Sequence, residues 1–567
     1  MRPATAISLF ALALASPPAL SQHLVYQLGD TATSGDDYGR SVADAGDVDG
    51  DGTPDVIVGA PFDSPGGFNT GAVFTYSGRT GQLIWARVGE WPGDAFGWSV
   101  DGVGDLDGDG HGEVIVGAPL WDNNGTWDAN GGKAYVINGA TGGFMTTFAF
   151  NSLNARLGHV VRGLGDITGD GVGDFAYSIP YRDTGGATDN GYIAFYSGAG
   201  TNFLFSKEGT VDHQFLGFSL DVVRATGSQA TSRLIVGCPG VNGLGIDRGL
   251  VMLLDGFGNT VSLFGGTTDN EWLGAAVAGI GDANGDGVED YAMAAPYADI
   301  LGVGADAGLV RVYSGAGTSW MYSVTGATAG ANLGLSLAGL GDFDGNGTDD
   351  FLAGAPNDDT SVNDGGEARV VSGASGLTLA NWYGAVNDHM GRAVSSAGDL
   401  NGDGVEDVIV GANDAPVGEG QAYVYLSRLD APVTYCYPKV NSQGCVPEVS
   451  WEGTASLTIA DGLHVRAENV LSNKNGILFW GLGQNDFPFM GGTLCVQGPL
   501  KRTPPQNSGG NAGTDCSGTY AFHFSQAYMT AQGLQPGDRV HAQFWSRDPG
   551  ASFQVGLTDA AAFDVAP

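Results

Sequence analysis

Six short segments of the chain carry acidic side chains at a fixed spacing. The first reads GDVDGDGTPDVIVGAP (residues 46–61), with Asp47, Asp49, Asp51 and Asp55 at positions 1, 3, 5 and 9 of a loop that then turns apolar. Carboxylates this close repel one another unless a cation lies among them. Ca²⁺ takes about six to eight oxygen ligands, which these carboxylates and the backbone carbonyl of position 7 can provide. The spacing therefore predicts a calcium-binding loop.

The pattern predicts up to six Ca²⁺ sites. Positions 4 and 6 are usually glycine, which permits tight left-handed turns. Position 7 varies because it offers only its carbonyl, so the ring of His111 is not expected to bind metal. The predicted ligands, loop by loop and in the order of positions 1, 3, 5, 7 and 9, are Asp47, Asp49, Asp51, Thr53 and Asp55; Asp105, Asp107, Asp109, His111 and Glu113; Asp166, Thr168, Asp170, Val172 and Asp174; Asp282, Asn284, Asp286, Val288 and Asp290; Asp342, Asp344, Asn346, Thr348 and Asp350; Asp399, Asn401, Asp403, Val405 and Asp407.

Two other structures were considered for these segments, the EF-hand and the Asx-turn, and neither accounts for the whole set. An EF-hand needs Glu at position 12, but that position of the first loop is Val58. Asx-turns on an acidic surface account for one or two such loops, not for six in register. Thr168 and the three asparagines among the ligands predict affinities that differ between loops. Because the loop's own oxygens would saturate the ion, the predicted role is stabilisation of the folded state and not catalysis.

The acidic segments belong to a unit of roughly 60 residues that occurs seven times. Each unit opens with an aromatic or aliphatic residue followed by glycine, passes through the acidic segment and reaches an apolar strand that ends in GAP or a similar tripeptide. The fourth unit departs, because DVVRATGSQATSRLIVG replaces the acidic segment and Asp221 aligns with Asp47. Four strands per unit predict an all-β protein with a seven-bladed β-propeller.

The two ends of the repeat region complement each other. The segment that begins at residue 23 matches the fourth strand of the first unit at residue 83, and the seventh unit ends at its third strand, GQAYVYLS. Residues 23–30 are therefore expected to complete the last blade and close the ring. The predicted organisation is a signal peptide at 1–21, a propeller at 22–430 and a smaller β-sandwich-like domain at 431–567.

Residues 23–427 resemble FG-GAP repeats, the propeller blades of integrin α subunits and of many secreted bacterial proteins. The aromatic–glycine pair, the acidic loop and the Gly-Ala-Pro element recur there in that order. The resemblance implies seven blades, calcium in the loop that joins the first two strands of a blade, and partner binding on the opposite face. On that face Trp121 and Trp127 are the candidates for gripping a sugar ring or a peptide, whereas Trp91, Trp98 and Trp272 are expected to pack between blades.

Composition restricts the environment and the partners. A formal net charge of −39 argues against nucleic acid and anionic membrane surfaces as partners. The sequence MRPATAISLFALALASPPALSQ fits a signal peptide cut after Ser21, and no other segment is long and apolar enough to span a membrane. A secreted or surface-associated monomer is expected.

Four of the five cysteines, Cys436, Cys445, Cys495 and Cys516, lie in the last part of the chain. This density is typical of a small exported domain held by disulfides. Proximity favours pairing of Cys436 with Cys445 and of Cys495 with Cys516, although four cysteines allow three pairings. Cys238 is expected to be a small buried residue.

No nucleophile elbow, zinc-protease motif or phosphate-binding loop occurs in the chain, so no catalytic residue and no cofactor other than Ca²⁺ is predicted. The leading hypothesis is a non-catalytic adhesion or recognition module for an extracellular protein or glycan. The alternatives are an extracellular enzyme acting on polysaccharide or phosphoester, with its site on the calcium-free face or in the channel, and a lectin.

Overall fold

The computed structural model describes residues 23–29, 35–122, 130–225, 231–241, 246–415, 420–427, 433–436, 438–453, 455, 457, 462–513, 515–535 and 538–565. The predicted signal peptide and Trp127 lie outside these residues. The described chain is all-β apart from one short helix, as predicted.

In the described part of the repeat region, twenty-eight strands form seven four-stranded antiparallel sheets. In chain order they are β1 (His23–Leu28); β2 (Ser41–Gly46), β3 (Asp55–Ala60), β4 (Ala72–Tyr76), β5 (Leu83–Val88); β6 (Ser99–Gly104), β7 (Glu113–Ala118), β8 (Lys133–Ile137), β9 (Phe144–Ala149); β10 (Val161–Gly165), β11 (Asp174–Ile179), β12 (Tyr192–Ser197), β13 (Asn202–Glu208); β14 (Ser219–Val223), β15 (Arg233–Cys238), β16 (Leu250–Leu254), β17 (Thr260–Gly265); β18 (Ala276–Gly279), β19 (Tyr291–Ala295), β20 (Leu309–Tyr313), β21 (Trp320–Thr325); β22 (Ser336–Gly341), β23 (Asp350–Ala355), β24 (Glu367–Val371), β25 (Thr378–Tyr383); β26 (Met390–Gly398), β27 (Asp407–Ala412) and β28 (Gln421–Leu426).

Strand order follows the chain in six of these sheets, and the seventh has the order β1-β28-β27-β26. The N-terminal strand β1 lies antiparallel to β28, with His23 opposite Leu426 and Leu28 opposite Ala422. The first strand of each sheet contacts the first strand of the next, and β26 contacts β2. These repeated sheets are consistent with a β-propeller.

Packing explains why an apolar strand that contains glycine recurs in each unit. Every residue of β3 is buried, in keeping with its apolar sequence DVIVGA, whereas the outer strand β5 is half-buried or exposed throughout. A Cβ atom on Gly59 would lie 2.1 Å from the carbonyl oxygen of Gly97 in the next unit. Neighbouring sheets thus meet backbone to backbone at this point, which only glycine permits.

The C-terminal part contains a six-stranded sheet, a three-stranded sheet and a hairpin. Its elements are β29 (Val433–Tyr435), β30 (Glu448–Glu452), β31 (Leu463–Val470), β32 (Asn475–Gly481), β33 (Gln484–Phe489), β34 (Gly492–Val496), β35 (Lys501–Arg502), β36 (Gln506–Asn507), β37 (Gly518–Phe524), α1 (Gln526–Gln532), β38 (Arg539–Arg547) and β39 (Val555–Asp564). The two larger sheets share one core, to which β31 contributes Val465, β32 Trp480 and β38 Phe544. A sandwich of two sheets results.

The disulfide pairing favoured by sequence proximity is wrong. Cys436 pairs with Cys495 and Cys445 with Cys516, with Cα atoms 6.2 and 6.4 Å apart. The sheets bring distant segments together, since the hydroxyl of Tyr435 donates to the carbonyl of Cys495. Cys238 is free and buried, as expected. Among the described residues no helix has the length and apolar character needed to cross a membrane.

Candidate functional site

The acidic loops lie between the first and second strands of their sheets. The loop after β2 ends at Asp55, the first residue of β3. Gly50 and Gly52 have φ angles of 76° and 88°, and the glycines at the same two positions of the other five loops also have positive φ. The predicted left-handed turns at positions 4 and 6 are therefore confirmed.

Position 1 organises the loop backbone. In the first loop, Asp47 Oδ1 accepts hydrogen bonds from the N–H groups of Gly50 (2.8 Å) and Asp51 (3.0 Å), and Oδ2 accepts from Gly52 N–H (2.9 Å). Asp51 Oδ1 accepts from Thr53 N–H at 2.9 Å. The Asx-turns considered above are thus present, and they aim the side chains of the loop toward a common centre.

Position 9 links the loop to the rest of its sheet. Asp55 Oδ2 accepts from the N–H groups of Val48 (2.7 Å) and Asp49 (3.0 Å), while Oδ1 accepts from Gly78 N–H (2.9 Å) in the turn between β4 and β5. Carboxylates at position 9 of four other loops bond to the corresponding turn in the same way, and in the seventh sheet Asp407 accepts from the N–H of Ser427, directly after β28. The sequence did not reveal this structural role.

Three loops bring carboxylate oxygens from positions 1, 3 and 9 within 4.8 Å of one another. These are the loops whose position 3 is aspartate, and the triads are Asp47, Asp49 and Asp55; Asp105, Asp107 and Glu113; Asp342, Asp344 and Asp350. In the other three loops position 3 is Thr168, Asn284 or Asn401. Three side chains around one point form an oxygen donor set of the kind that Ca²⁺ binds.

The triads carry an electrostatic cost that a cation would remove. Burial, with the nearby charge of Asp49, raises the pKa of Asp55 to about 7. Burial raises the pKa of Asp350 to about 7 as well, with a further contribution from Asp344. Burial also raises the pKa of Glu113. Because burial and like charges both oppose ionisation, a divalent cation at the centre would stabilise the ionised form.

One buried atom in the acidic loop of the fifth unit supports the fit to a cation. Asp290 is fully buried; its Oδ1 accepts from Gly315 N–H at 2.9 Å, while its Oδ2 is buried without a hydrogen bond. Buried carboxylate oxygens otherwise carry a desolvation cost. Asn284 and Asp286 of the same loop would contribute the further oxygens. The residues of these loops therefore fit a calcium ion.

His111 uses its ring outside its own loop. The imidazole Nδ1 lies 2.8 Å from the carbonyl oxygen of Val48 in the loop of the preceding sheet. This contact links two neighbouring acidic loops, in keeping with the expectation that the ring is not a ligand.

The fourth unit differs from the others in two ways. Asp221 lies inside β14 opposite Ile235, at the register of Asp101 opposite Ile115, so its alignment with Asp47 is wrong. Arg233 occupies the place of Asp55, because both stand four residues before the glycine that faces the serine of the first strand. Its Nη1 donates to the carbonyl of Gly315 at 2.8 Å.

The first strands of the sheets line a central cavity of about 780 Å³. Arg162 lies in its wall between two acids: its Nε is 2.9 Å from Asp221 Oδ1 and 3.5 Å from Asp101 Oδ2. Although burial disfavours the charge of Arg162, these carboxylates raise its pKa. Burial raises the pKa of Asp44, on the same cavity wall, to about 6.

Aromatic rings form an arc at the end of the sheets opposite the acidic loops. Four of them lie just before first strands and are half-buried, and Tyr297, two residues after β19, is exposed. The arc, called the aromatic arc below, consists of Trp98, His159, Phe218, Trp272 and Tyr297, with successive ring centroids 6.0, 4.9, 6.0 and 5.6 Å apart. The guanidinium of Arg40 lies 4.0 Å from the ring centroid of Trp98 at one end. Since β6 separates Trp98 from Asp105, the arc and the acidic loops lie at opposite ends of the sheets.

Two predictions about tryptophans change with the structure. Trp121 is only 7 % exposed and its Nε1 donates to Glu90 Oε2 at 3.1 Å, so the expectation that it is an exposed ligand contact is wrong. Trp98 and Trp272 do pack across sheet boundaries as expected, but they remain partly exposed. Trp91 is 51% exposed, so the expectation that it is buried between blades is wrong. The sequence did not predict the arc, because its members, except Tyr297, are about one repeat apart. They come together only when neighbouring sheets pack against each other.

Comparison with known proteins gives concordant results. The FG-GAP repeat model matches residues 39–76, 96–137 and 390–425. Chicken integrin α-V is 30% identical over 226 residues, which is 37% of this chain and 21% of the relative. Human integrin α-IIb is 31% identical over 224 residues, with the same coverage, and Drosophila melanogaster integrin α-PS2 is 30% identical over 192 residues, 31% of this chain and 13% of the relative. The matched segment thus spans about a fifth or less of these relatives. The chain carries FG-GAP repeats and is similar to integrin α subunits.

Proposed function

We propose that this protein is an exported, non-catalytic adhesion or recognition module. Its repeat region is a seven-bladed propeller closed by the N-terminal strand and stabilised by Ca²⁺ in up to six acidic loops. The partner is an extracellular protein or glycan that contacts the face opposite these loops. Integrin α-like FG-GAP repeats point to adhesion or recognition in general, and the calcium, the export and the partner class are the proposed refinements.

The aromatic arc is the observation that carries the proposed binding face. Partly exposed aromatic rings combine a large apolar area with few rotatable bonds, so they bind partners at low entropic cost. Arg40 at one end of the arc adds a planar donor that suits carboxylate and hydroxyl groups. Tyr297 at the other end is 38% exposed, and Leu301, four residues later, is fully exposed. The face therefore offers both apolar and charged contacts.

The acidic loops support the binding face from the other end of each sheet. A cation that binds only the folded protein stabilises that fold by mass action. In every acidic-loop sheet except the seventh, position 9 connects the loop to the turn between the third and fourth strands, as Asp55 does through Gly78. An ion in such a loop would therefore hold all four strands of the sheet in place, and with them the first strands that lead to the arc.

The first experiment tests the binding face with the full chain. Retention would be measured on immobilised extracellular-matrix proteins and polysaccharides, in Ca²⁺ and in chelator, with released product assayed in parallel. Trp98→Ala and Trp272→Ala remove rings from the arc, and Phe257→Ala is the matched control because Phe257 is 74% exposed in the turn between β16 and β17, at the acidic-loop end of its sheet.

Calcium-dependent retention that both arc variants weaken by roughly tenfold, and the control leaves unchanged, supports the proposal. Free sugar that abolishes retention would identify the partner as a glycan. Release of product, or equal retention by all variants, contradicts it.

A further inference from the structure

A cleft of about 410 Å³ lies between the repeat region and the C-terminal part. Its walls come from the acidic loops of the first and seventh sheets, the turn between β4 and β5, and the strands β29 and β30. It is called the junction cleft below, and the side chains that line it include Thr53, Arg79, Asp399, Thr434, Ser450 and Trp451. Sites for small ligands occupy clefts of about 300–1,000 Å³ and often lie between domains.

Direct packing holds the two walls of the junction cleft together. Leu426 of β28 belongs to one buried cluster with Tyr435 of β29 and Ala560 of β39. Burial raises the pKa of Asp559 on β39, and the charge of Arg79 from the first sheet opposes that rise, so these two groups also lie close together. A ligand therefore meets walls that are already in place, which lowers the entropic cost of binding.

Four polar side chains of the walls have unused hydrogen-bonding groups. Within the described part of the chain, neither the guanidinium of Arg79 nor the hydroxyls of Thr53, Thr434 and Ser450 make a side-chain hydrogen bond. All four residues are half-buried. Polar groups that are partly withdrawn from water gain stability from a partner that supplies the missing hydrogen bonds. The junction cleft thus offers one cationic donor and three groups that both donate and accept.

An aromatic ring completes the lining. Trp451 on β30 pairs with Val465 on β31 and packs against the core of the sandwich. It nevertheless remains half-buried and also lines the junction cleft. The electron-rich face of an indole attracts weakly positive C–H groups, such as those on one face of a sugar ring. Because the core holds this side chain, it offers a rigid surface for such a contact.

We propose that the junction cleft binds a pyranose ring that carries a carboxylate, which is a uronic acid unit of an extracellular polysaccharide. The planar guanidinium of Arg79 suits two parallel hydrogen bonds to the carboxylate. The hydroxyls of Thr53, Thr434 and Ser450 exchange hydrogen bonds with the hydroxyls of the sugar. Trp451 packs against its C–H face. This site is separate from the aromatic arc and uses different residues.

Ca²⁺ should control this binding through the seventh loop. Asp399 and Asn401 of that loop line the junction cleft. Without a cation, the carboxylate of Asp399 repels the carboxylate of the sugar. A Ca²⁺ ion in the loop would remove this repulsion. The calcium dependence rests on the proposed function, whereas the contacts with Arg79 and Trp451 do not.

The test is titration of the full chain with glucuronic acid, followed by saturation-transfer NMR in Ca²⁺ and in chelator. Glucose is the matched neutral probe, because it lacks only the carboxylate. In Ca²⁺ the wild type is expected to bind glucuronic acid roughly tenfold more tightly than glucose, and Arg79→Met should abolish this preference. Ser450→Ala should weaken the binding of both sugars by roughly threefold. Arg502→Met is the control, since Arg502 is exposed at the edge of the six-stranded sheet farthest from β29.

Unfolding temperatures equal to that of the wild type would show that these substitutions leave the fold intact. The proposal is overturned if the wild type binds glucose as tightly as glucuronic acid, if Arg79→Met keeps the preference, or if Arg502→Met loses it. Equal binding of glucuronic acid in chelator overturns the calcium dependence. Dialysis against Ca²⁺ separates the remaining failures. A chain that binds Ca²⁺ but not glucuronic acid contradicts this site alone, and a chain that binds neither also contradicts the proposed calcium sites.

Discussion

The first and fourth sheets of the repeat region offer two solutions to the same electrostatic problem, the burial of carboxylates. The first sheet crowds Asp47, Asp49 and Asp55 around one point that fits an external ion. The fourth sheet has Arg233 at the place of Asp55, and its Asp221 is neutralised by Arg162 of the preceding sheet. The fold therefore requires neither solution in particular. It requires that a buried carboxylate be compensated, by the chain or by a bound ion.

Removal of calcium should lower the stability of the protein more than any single substitution, because it acts on every acidic loop at once. Only the fourth sheet, which has no acidic loop, should be unaffected. Each proposed site would stabilise the fold by about 2.7 kcal/mol when the Ca²⁺ concentration exceeds the dissociation constant of the site by about 100-fold. The unfolding temperature of the full chain should therefore be much lower in chelator than in Ca²⁺. Mg²⁺ at the same concentration is the control, since Mg²⁺ demands a smaller octahedral site. An unfolding temperature that chelator does not change would contradict the calcium assignment.

Substitution at position 9 should cost stability even without metal. Asp350 accepts hydrogen bonds from the N–H groups of Phe343 and Gly373, so Asp350→Ala leaves two buried donors without a partner and should cost about 2–4 kcal/mol in chelator. Asp344→Ala is the control, because Asp344 at position 3 accepts only from the exposed N–H of Asn346. It should cost less than about 1 kcal/mol in chelator but reduce the stabilisation that Ca²⁺ adds. Denaturant unfolding with and without Ca²⁺ distinguishes the two roles, and equal losses in chelator would refute the distinction.

The internal cation of the fourth sheet should behave in the opposite way. Arg162→Met leaves Asp101 and Asp221 without their counter-ion and should destabilise the protein by about 2–3 kcal/mol, by the same amount in Ca²⁺ and in chelator. Arg248→Met is the matched control, because Arg248 pairs with the exposed Asp269 and should cost less than about 1 kcal/mol. A loss that disappears in excess Ca²⁺ would show that the cavity wall also takes up the ion.

The C-terminal part also buries a carboxylate, that of Asp559, and here we expect a smaller effect on stability that depends on pH. Burial raises the pKa of Asp559 to about 7, against smaller opposing effects of a hydrogen bond from Val449 and of the charge of Arg79. Between about pH 4 and about pH 7 the folded state therefore holds a proton that the unfolded state has lost, so stability rises as pH falls through this range.

Asp559→Asn keeps an oxygen for the N–H of Val449 and removes the titration. The wild type should gain on the order of 2 kcal/mol relative to this variant between about pH 8 and about pH 5, as followed by tryptophan fluorescence in denaturant. Parallel pH profiles of the two proteins would mean that another group controls this dependence.

Periodicity made much of the fold and of the acidic loops predictable. Glycines at positions 4 and 6, and the apolar run after Asp55, dictate a turn and a buried strand from local chemistry alone. The alignment of Asp221 failed because strand register, which one residue's identity does not reveal, decides which loop an aspartate joins. The cysteine pairing failed for a related reason, since sheets bring together segments that are distant in sequence.

Contacts between segments that are distant in the chain could not be predicted from the sequence, for a different reason. Trp121 was expected in solvent because it lies in a polar segment, but Glu90 of another segment accepts its N–H and the ring is buried. The aromatic arc exists only once neighbouring sheets lie next to each other. Such sites depend on tertiary neighbours, which no local pattern encodes.

Acidic loops are expected to bind Ca²⁺ in every unit except the fourth. Equilibrium dialysis of the full chain, with bound calcium quantified by atomic spectrometry, measures this binding. We expect up to six bound ions, a loss of one on replacing both Asp342 and Asp350 with asparagine, and no loss with Arg233→Met in the fourth unit. A wild type that binds no calcium, or an Arg233→Met variant that loses an ion, would contradict it.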